Sequence, residues 1–508
     1  MIRIKALGLV LSGAMLAAGV SAFAAPAPAR IDAGQVQGVQ AQDLVVYKGI
    51  PYAAPPVGDL RWRGPKPPAH WDGVRVADHY GDSCMQNAGG PGGPLTTSED
   101  CLYLNVWTGA AKPAAKLPVM VWIHGGGFNL GSSSWKETEG SSLAHHGVVL
   151  VSLNYRLGKF GFFAHPALTA ENPSGELGNY GVMDMIAALK WVKANISAFG
   201  GDPGNVTIFG ESAGGMAVNF LMESPDARGL FHKAIVESGA GRNGFADFKS
   251  AEATGKTAAE AWGVTGADPA ALRAVPARTV LSNATIGGGG SSPMIDGKVV
   301  PEPILQAFTA GHIAHTPYMI GSNRFEIGLF AGQEETYAAA AKAQWPRVET
   351  VYDGYGSHDA KLVKQQYAND AFMTEPARAL ARAASAHGLP TYLYHFSFLR
   401  PSQRDGKIPG PLHFDEVYVV FDSMKVAPGA ASDDKAAVEA METRWTGFAR
   451  TGKPSADWPA FKPGDERLLE FTNDGPVARK DFTKAQLDLA EAIATAPPPA
   501  PAAGSASR

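Results

Sequence analysis

A serine within the pentapeptide Gly-Glu-Ser-Ala-Gly, residues 210–214, is the first side chain whose setting suits chemistry. Residues 205–209 before it form a β-branched and aromatic run typical of a buried strand, and residues 215–222 after it can begin a helix. A G-x-S-x-G turn between a strand and a helix presents the serine hydroxyl at the end of the sheet. The alternative is a structural turn serine, but this context favours Ser212 as a nucleophile.

A serine hydroxyl is a poor nucleophile until a base removes its proton, and a third group must orient that base. When these groups follow a strand-to-helix serine turn, the acid precedes the histidine in the chain. Seven histidines follow Ser212 in the sequence, namely His232, His312, His315, His358, His387, His395 and His413.

Three of these histidines have a readable context. His395 lies inside an apolar run, residues 391–398, where a packing role is the simpler interpretation, and His387 ends a helical stretch. His413 lies in a Gly-Pro-containing loop, residues 410–416, from which it can reach a strand end. The residues alone therefore favour His413 and leave the other two open. For the acid, Glu326 follows a short strand, where α/β folds place functional groups, although a solvated loop glutamate would look the same.

Three consecutive glycines, residues 125–127, follow a continuous apolar strand at 117–124. Bare backbone N–H groups in such a loop, with the N–H of Ala213, can hold an oxyanion, and losing one such donor typically costs about 10²–10³ in rate. A flexible turn is the alternative. The preceding His124 is expected to be structural. Glu211, beside the candidate nucleophile, is expected either to hydrogen-bond at the base of the site or to alter the electrostatic field there.

Composition excludes several classes of function. The chain has 508 residues, 45% hydrophobic and 18% charged, with a net charge of −4, so it carries no basic footprint for nucleic acid. Neither an H-E-x-x-H nor a C-x-x-C metal motif is present, and the G-x-G-x-x-G match at 239–244 is too short to indicate a nucleotide site. We therefore expect a small-molecule substrate, no metal and no cofactor.

The N-terminus reads as an export signal. Arg3 and Lys5 precede an apolar run, residues 6–20, and small residues at 22 and 24 suit cleavage before Ala25. We expect a signal peptide over 1–24, with an uncleaved anchor as the alternative, and a secreted or periplasmic protein without a stable membrane span. Export favours a disulfide between Cys84 and Cys101, the only cysteines, over two thiols.

The predicted elements alternate between strands and helices. The predicted strands lie at 99–107, 117–124, 147–156, 205–209, 233–239, 317–321 and 391–398. Helices are predicted at 181–195, directly after Ser212, in the Ala-rich stretch before residue 292, and in a C-terminal helix that contains Trp445 and Phe448. This order predicts an α/β fold with a doubly wound, mostly parallel sheet and helices on both faces. We expect one domain over 25–495 and a disordered Pro/Ala-rich tail over 496–508.

Several longer motifs resemble the type-B carboxylesterase family of the α/β-hydrolase fold, which includes the cholinesterases. The match covers most of the mature chain and rests on residues 49–53 (Gly-Ile-Pro-Tyr-Ala), 99–105 (Glu-Asp-Cys-Leu-Tyr-Leu-Asn), 125–128, 154–156 (Asn-Tyr-Arg), 178–184, 199–203 (Phe-Gly-Gly-Asp-Pro) and 209–215. The resemblance implies a serine carboxylesterase that acts through an acyl-enzyme, with loop and helical insertions that form a substrate gorge.

The resemblance also implies a role for each matching residue. Ser212 corresponds to the nucleophile, Glu326 to the acid of a G-x-N-x-x-E motif, and His413 to the base of a G-x-x-H-x-x-E motif. The matching oxyanion donors are Gly126, Gly127 and Ala213, and Cys84 with Cys101 matches the first disulfide of the family. The competing functions are a non-catalytic binding protein on the same fold and a hydrolase of a specialised ester or amide.

Two stretches depart from the family pattern. The loop between the cysteines, 85–100, contains no aromatic residue, whereas cholinesterase-like relatives place there a tryptophan that binds a quaternary ammonium, so choline esters are not the expected substrates. Residues 287–292 are glycines and serines where many relatives carry bulky acyl-pocket aromatics. We therefore expect a roomier or more mobile acyl side.

Overall fold

The computed structural model describes residues 26–87, 93, 95–110, 112–172, 175, 177–242, 244–282, 291–330, 332–353, 359–429 and 434–496. The predicted signal peptide at 1–24 lies outside the described residues. So do the predicted tail beyond residue 496, the glycines at 287–290, and residues 88–92 and 94 of the loop between the cysteines.

A large mixed sheet forms the centre of the fold. In the described part of the chain it has eleven strands, in the spatial order Gly475–Lys480, Arg467–Thr472, Thr391–Phe396, Tyr318–Asn323, Lys233–Glu237, Gly201–Glu211, Leu117–Ile123, Val149–Leu153, Tyr103–Thr108, Leu44–Pro51 and Val39–Ala41. The run from Arg467–Thr472 to Val149–Leu153 is parallel throughout, and the pairs outside it are antiparallel. The predicted mostly parallel α/β sheet is therefore confirmed.

Side chains of each central strand point alternately to two different cores. Along Leu117–Ile123, Val119, Val121 and Ile123 pack into one buried cluster, whereas Met120 and Trp122 pack into the other. Burial on both faces explains why these strands read as continuous apolar runs in the sequence.

Helices cover both faces of the sheet. The first core includes residues of Tyr180–Asn195, Ala213–Glu223 and Glu375–Ala386, and the second includes residues of Asp415–Val420 and Lys435–Thr451. The remaining α-helices are Ser141–His145, Gly158–Gly161, Pro166–Glu171, Phe248–Ala261, Pro269–Arg273, Ala277–Leu281, Ile304–Ala310, Gln333–Ala340, Trp345–Tyr352, Ala360–Asn369 and Lys484–Ala494.

Shorter elements complete the chain. A π-helical turn, Asp370–Thr374, joins two α-helices. The 3₁₀ turns are Gly58–Leu60, Pro113–Ala115, Lys136–Thr138, Ile196–Phe199, Pro225–Ala227, Glu326–Leu329, Lys342–Gln344, Pro401–Gln403 and Met424–Val426. The described residues also form three small sheets. One has three strands, Ala29–Ile31, Gly34–Gln37 and Val74–Val76. The other two are the pair Phe162–Phe163 with Gly178–Asn179 and the pair Ser83–Cys84 with Thr97–Ser98.

The sequence-based elements need two corrections. The strand predicted at 99–107, whose residues alternate between apolar and polar, covers only Tyr103–Thr108. It is almost wholly buried, because antiparallel neighbours flank it and both of its faces are covered. The helix with Trp445 and Phe448, Lys435–Thr451, is not the last element. An antiparallel pair of edge strands and the helix Lys484–Ala494 follow it.

Cys84 and Cys101 form the expected disulfide. It ties a short two-stranded sheet, Ser83–Cys84 with Thr97–Ser98, to the chain just before the strand Tyr103–Thr108. Among the described residues, no helix combines the length and the apolar character that a bilayer span needs.

A buried ion pair fixes the segment after Val149–Leu153 against the helix Tyr180–Asn195. Arg156 donates through Nε and Nη2 to the two carboxylate oxygens of Asp184, at 2.8 and 2.7 Å, and its backbone N–H donates to Oδ2 at 3.0 Å. Both side chains are almost completely buried. Two parallel charge-assisted bonds give this contact its directional specificity.

Asp184→Asn is expected to destabilise the protein strongly, because it leaves the buried guanidinium of Arg156 without its counter-charge. Removing one partner of a buried pair typically costs about 3–5 kcal/mol. Denaturant unfolding measures this loss. The matched control is Glu335→Gln, which breaks the exposed pair with Lys364 and should change the free energy of unfolding by less than about 1 kcal/mol. Equal effects of the two variants would contradict the prediction.

Candidate active site

The strand Gly201–Glu211 ends directly at Ser212, and the helix Ala213–Glu223 begins immediately after it. Ser212 has φ 56° and ψ −121°, a backbone conformation that is uncommon for a residue with a side chain. Its N–H donates to the carbonyl oxygen of Glu237 at 2.9 Å, and its own carbonyl oxygen accepts from Met216 N–H at 2.9 Å. The turn at 210–214, called here the serine elbow, therefore holds strain of the kind found at functional sites.

Two glycines of the serine elbow are required by close backbone packing. A Cβ at Gly214 would lie 2.0 Å from the carbonyl oxygen of Ile123, and one at Gly210 would lie 2.6 Å from the same atom. The end of the strand Leu117–Ile123 therefore presses against both sides of the elbow, and no larger residue fits there.

The glycine loop at 125–127 lies beside the serine. A Cβ on Gly125 would be 3.1 Å from Ser212 Cβ and 2.7 Å from both the carbonyl oxygen and Oε2 of Glu211. Gly126 and Gly127 have φ values of 102° and 62°. The carbonyl oxygen of Gly126 accepts from the N–H groups of Asn129 and Leu130, both at 3.1 Å, which folds the loop into a tight turn.

The donors predicted for an oxyanion are three backbone N–H groups, two in the glycine loop and one in the serine elbow. In the part of the chain that the structure describes, no hydrogen bond uses the N–H groups of Gly126, Gly127 or Ala213. For Ala213 this follows from its place in the first turn of a helix, whose N–H groups have no intrahelical acceptor. The positive end of that helix dipole also favours negative charge at this point.

His413 and Glu326, which lie far apart in the sequence, are in direct contact. His413 Nδ1 lies 2.6 Å from Glu326 Oε2, and both side chains are buried. The other oxygen of Glu326 accepts from Asn323 N–H at 2.6 Å. The carboxylate is therefore fixed on both sides, and it fixes the orientation of the imidazole ring.

The second ring nitrogen of His413 faces the serine elbow. His413 Nε2 lies 3.0 Å from Glu211 Oε1, but the alignment is not that of a hydrogen bond, and both atoms lack a hydrogen-bond partner among the described residues. Glu211 immediately precedes the half-buried Ser212, so its contact with His413 places Nε2 beside the serine elbow. Nε2 does not hydrogen-bond to Ser212 in this arrangement.

Four buried glutamates surround the site. Burial, together with the carboxylates of Glu326 and Glu237, raises the pKa of Glu211 well above its usual value. Burial, followed by the charges of Glu211, Glu326 and Glu237, raises the pKa of Glu416 in the same way. Burial also raises the pKa of Glu237 to about 8, although Trp445 Nε1 donates to this carboxyl at 2.7 Å. Low polarity thus favours the neutral form of the carboxyls that do not contact His413 Nδ1.

Asn323 joins the segments that carry the acid and the histidine, and sequence reasoning gave it no role. Its side-chain Nδ2 donates to the carbonyl oxygen of Leu412 at 2.8 Å and to Glu416 Oε2. Phe325 N–H donates to the carbonyl oxygen of Pro411 at 3.0 Å. The asparagine of the G-x-N-x-x-E motif was the available signal.

An apolar wall also escaped the sequence analysis. The ring centroid of Phe330 lies 5.1 Å from that of His413 and 5.2 Å from that of Phe372. Met216 and Leu412 pack against the same cluster. Phe330 follows Glu326 closely, but Phe372 is distant in the sequence, so no local pattern indicates that it belongs here.

Three other histidines have roles in packing or helix capping. His124 is buried, stacks on Tyr155 with ring centroids 4.4 Å apart, and has its pKa lowered to about 4 by burial. His395 is buried in the strand Thr391–Phe396, and His387 is the C-terminal cap of Glu375–Ala386. Within the described residues, no group of His, Cys, Asp and Glu suits a metal ion.

Comparison with known proteins gives a consistent result. A model of the carboxylesterase family matches residues 26–351 and 347–490. A fumonisin B1 esterase from Sphingopyxis macrogoltabida is 36% identical over 468 residues, which cover 84% of this chain and 83% of the relative. A para-nitrobenzyl esterase from Bacillus subtilis is 37% identical over 459 residues, covering 84% of this chain and 91% of the relative.

Solved structures agree with the sequence relatives. A PNB esterase structure superposes with a TM-score of 0.79 at 32% identity and covers 91% of this chain and 99% of its own. A carboxylesterase from Geobacillus stearothermophilus gives a TM-score of 0.75 at 31% identity, with 91% and 99% covered. At this similarity the α/β-hydrolase fold predicted from the sequence is confirmed.

Gly125→Ala is expected to lower the rate of hydrolysis of a p-nitrophenyl ester by about 10²-fold, the typical effect of disturbing an oxyanion donor. The added methyl group would meet Glu211 and Ser212 Cβ, so the glycine loop or the elbow must move. Steady-state kinetics on the folded variant measure the effect. Gly244→Ala, which meets nothing within 4 Å, is the matched control and should retain full activity. Full activity of Gly125→Ala would show that the loop has no such role.

Proposed function

The chain belongs to the carboxylesterase family of carboxylic ester hydrolases, and we propose that it cleaves its ester through an acyl-enzyme formed on Ser212. The observation that carries this proposal is the 2.6 Å contact between His413 Nδ1 and Glu326 Oε2, with His413 Nε2 directed at the serine elbow. This arrangement supplies a nucleophile, a base and a group that orients the base.

The first step is the attack of Ser212 Oγ on the ester carbonyl carbon. As the new bond forms, His413 Nε2 takes the hydroxyl proton, which requires that the ring carry its other proton on Nδ1. Glu326 selects this tautomer by accepting from Nδ1, and its negative charge stabilises the imidazolium that forms. The side chain of His413 must tilt from Glu211 toward Ser212 to make the required hydrogen bond, which commonly tightens only when substrate is bound.

The carbonyl oxygen becomes an oxyanion in this step. The N–H groups of Gly126, Gly127 and Ala213, which have no protein acceptor among the described residues, are proposed to donate to it. Preorganised donors of this kind act without reorganisation at the moment of reaction. His413 then gives its proton to the leaving alkoxide, and the alcohol departs.

Water completes the reaction by attacking the acyl-enzyme. His413 again serves as the base, now for the water, and returns the proton to Ser212 Oγ when the carboxylic acid leaves. The raised pKa of Glu211 supports this cycle, because a neutral carboxyl near Nε2 exerts little electrostatic pull on the imidazole ring.

The apolar wall supports an ester with an aromatic or aliphatic group next to the scissile bond. Phe330 and Phe372 offer ring faces and edges near His413, and Met216, one helical turn after Ser212, offers a flexible thioether. Two relatives are named as a para-nitrobenzyl esterase and a fumonisin B1 esterase, which supports an ester substrate for this chain.

Ser212→Ala is expected to lower kcat for p-nitrophenyl butyrate by an amount on the order of 10⁴- to 10⁶-fold, because the nucleophile is removed. A p-nitrophenyl ester series from acetate to decanoate on the unaltered enzyme measures acyl preference at the same time. Ser250→Ala, on the exposed face of Phe248–Ala261, is the matched control and should leave kcat unchanged. Substantial activity in Ser212→Ala would refute the assignment.

Export is part of the proposal. The basic and apolar residues at the N-terminus, with small residues before Ala25, support a signal peptide over 1–24, and the Cys84–Cys101 disulfide suits an oxidising compartment. Mass spectrometry of the active protein from periplasmic and culture fractions should give a chain that begins at Ala25. Active protein that retains Met1 to Ala24 in the cytoplasm would contradict it.

A further inference from the structure

Two of the proposed oxyanion donors lie on a loop whose glycines are flexible by nature. Gly126 and Gly127 have φ values of 102° and 62°, and glycine adopts many backbone conformations at little steric cost. Donors stabilise an oxyanion best when they are already in place and need no reorganisation during the reaction. The direction of these two N–H groups therefore depends on the contacts that hold the loop.

The carbonyl oxygens of the loop are the atoms that are held. In a planar trans peptide unit the C=O and N–H groups point in opposite directions, so fixing one C=O also fixes the N–H of the next residue. The carbonyl oxygen of Gly125 lies 2.9 Å from His124 Nδ1, which fixes the N–H of Gly126. The carbonyl oxygen of Gly126 accepts from the N–H groups of Asn129 and Leu130, which fixes the N–H of the residue after it.

The side chain of Asn129 adds a further bond to the same loop. Its Nδ2 group donates to the carbonyl oxygen of Gly127 at 2.7 Å. The backbone N–H of Asn129 thus holds the peptide plane before the Cα atom of Gly127, and its side chain holds the plane after that atom. One residue therefore fixes both peptide planes that meet at Gly127.

The Asn129 amide is also anchored outside the loop. Its Nδ2 group lies 3.2 Å from the carbonyl oxygen of Ser291, a buried residue 162 positions further along the chain, and donates to it. The two N–H groups of one amide thus serve two carbonyl oxygens. Because this second acceptor belongs to another part of the chain, the side chain is kept from rotating away from Gly127.

The chemistry of the two acceptors determines the orientation of the amide. Carbonyl oxygens only accept, so the NH₂ group of Asn129, and not Oδ1, must face Gly127 and Ser291. Oδ1 is inaccessible to solvent and has no hydrogen-bond partner in the described part of the chain. An unpaired buried oxygen costs free energy, so the two bonds from Nδ2 are kept at the expense of the other half of the amide.

We propose that Asn129 is a positioning residue for the oxyanion donors. It acts through Gly127, because it holds the loop in the conformation that directs the N–H groups before a substrate binds. This role rests on the proposed acyl-enzyme mechanism and adds to it a residue that the family motifs do not assign. We expect the effect of Asn129 on the chemical step and not on substrate binding.

Three substitutions separate the donors of Asn129 from its shape. Asn129→Ala removes the side chain, Asn129→Leu replaces it with an apolar one, and Asn129→Asp keeps its shape but lacks the N–H groups. At about pH 8, where an aspartate is ionised, each variant should hydrolyse p-nitrophenyl butyrate with kcat lowered about tenfold and KM changed by less than about twofold. A residue needed only for its shape would leave Asn129→Asp active.

Inhibition by a trifluoromethyl ketone reports on the oxyanion donors directly. Ser212 Oγ adds to the ketone carbon, the hydroxyl proton passes to His413, and the ketone oxygen becomes the oxyanion of a stable adduct. With butyl trifluoromethyl ketone, the inhibition constant of each Asn129 variant should rise by the same factor by which kcat/KM falls, about tenfold.

Asn87→Ala is the matched control. Asn87 Nδ2 donates to the carbonyl oxygen of Leu281 at 3.0 Å, which is the same type of bond between an amide and a distant backbone segment. Within the described residues no hydrogen bond joins Asn87 to the glycine loop. The values of kcat and of the inhibition constant should therefore be unchanged. A cooperative thermal unfolding transition confirms that each variant is folded.

Three outcomes would overturn the role of Asn129. They are full activity of Asn129→Asp, an equal loss of kcat in Asn87→Ala, and a loss of kcat in the Asn129 variants without a weaker binding of the ketone. Substantial hydrolysis by Ser212→Ala would refute the proposed acyl-enzyme mechanism instead. An inactive Ser212→Ala combined with fully active Asn129 variants would leave the mechanism in place and refute only the positioning role.

Discussion

Backbone contact between the serine elbow and the end of the strand Leu117–Ile123 is the constraint on which the site depends. The carbonyl oxygen of Ile123 approaches Gly210 and Gly214 so closely that a Cβ at either position would overlap it. This packing leaves Ser212 at positive φ, with its N–H bonded to Glu237. The glycine loop follows directly from the same strand end, so one contact fixes both the proposed nucleophile and the proposed oxyanion donors.

Electrostatics add a second constraint. Burying several carboxyls in one place is costly unless most of them are neutral or hydrogen-bonded. Here Glu211, Glu237 and Glu416 have raised pKa values, whereas Glu326 contacts His413 Nδ1 and accepts from a backbone N–H. The environment thus distinguishes glutamates that are chemically identical, and it gives one of them the role of orienting the histidine.

The segments that carry Glu326 and His413 also share one apolar cluster. Phe325 and Ile327 are buried in it together with Phe372, and Phe330 and Leu412 pack against it. Apolar packing therefore adds to the hydrogen bonds of Asn323 and Phe325 in holding the two segments together.

The sequence by itself determined the parallel α/β sheet, the elbow and the identities of Ser212, Glu326 and His413 as candidates, because strand–turn–helix signals and glycine requirements are local. It also indicated the Cys84–Cys101 disulfide. Only the tertiary structure decided that Glu326 and His413 meet, that Glu211 faces Nε2, and that Phe372 joins the apolar wall. Such contacts join residues tens to hundreds of positions apart, and burial, which sets their charge states, is a property of the packed chain and not of any short stretch of it.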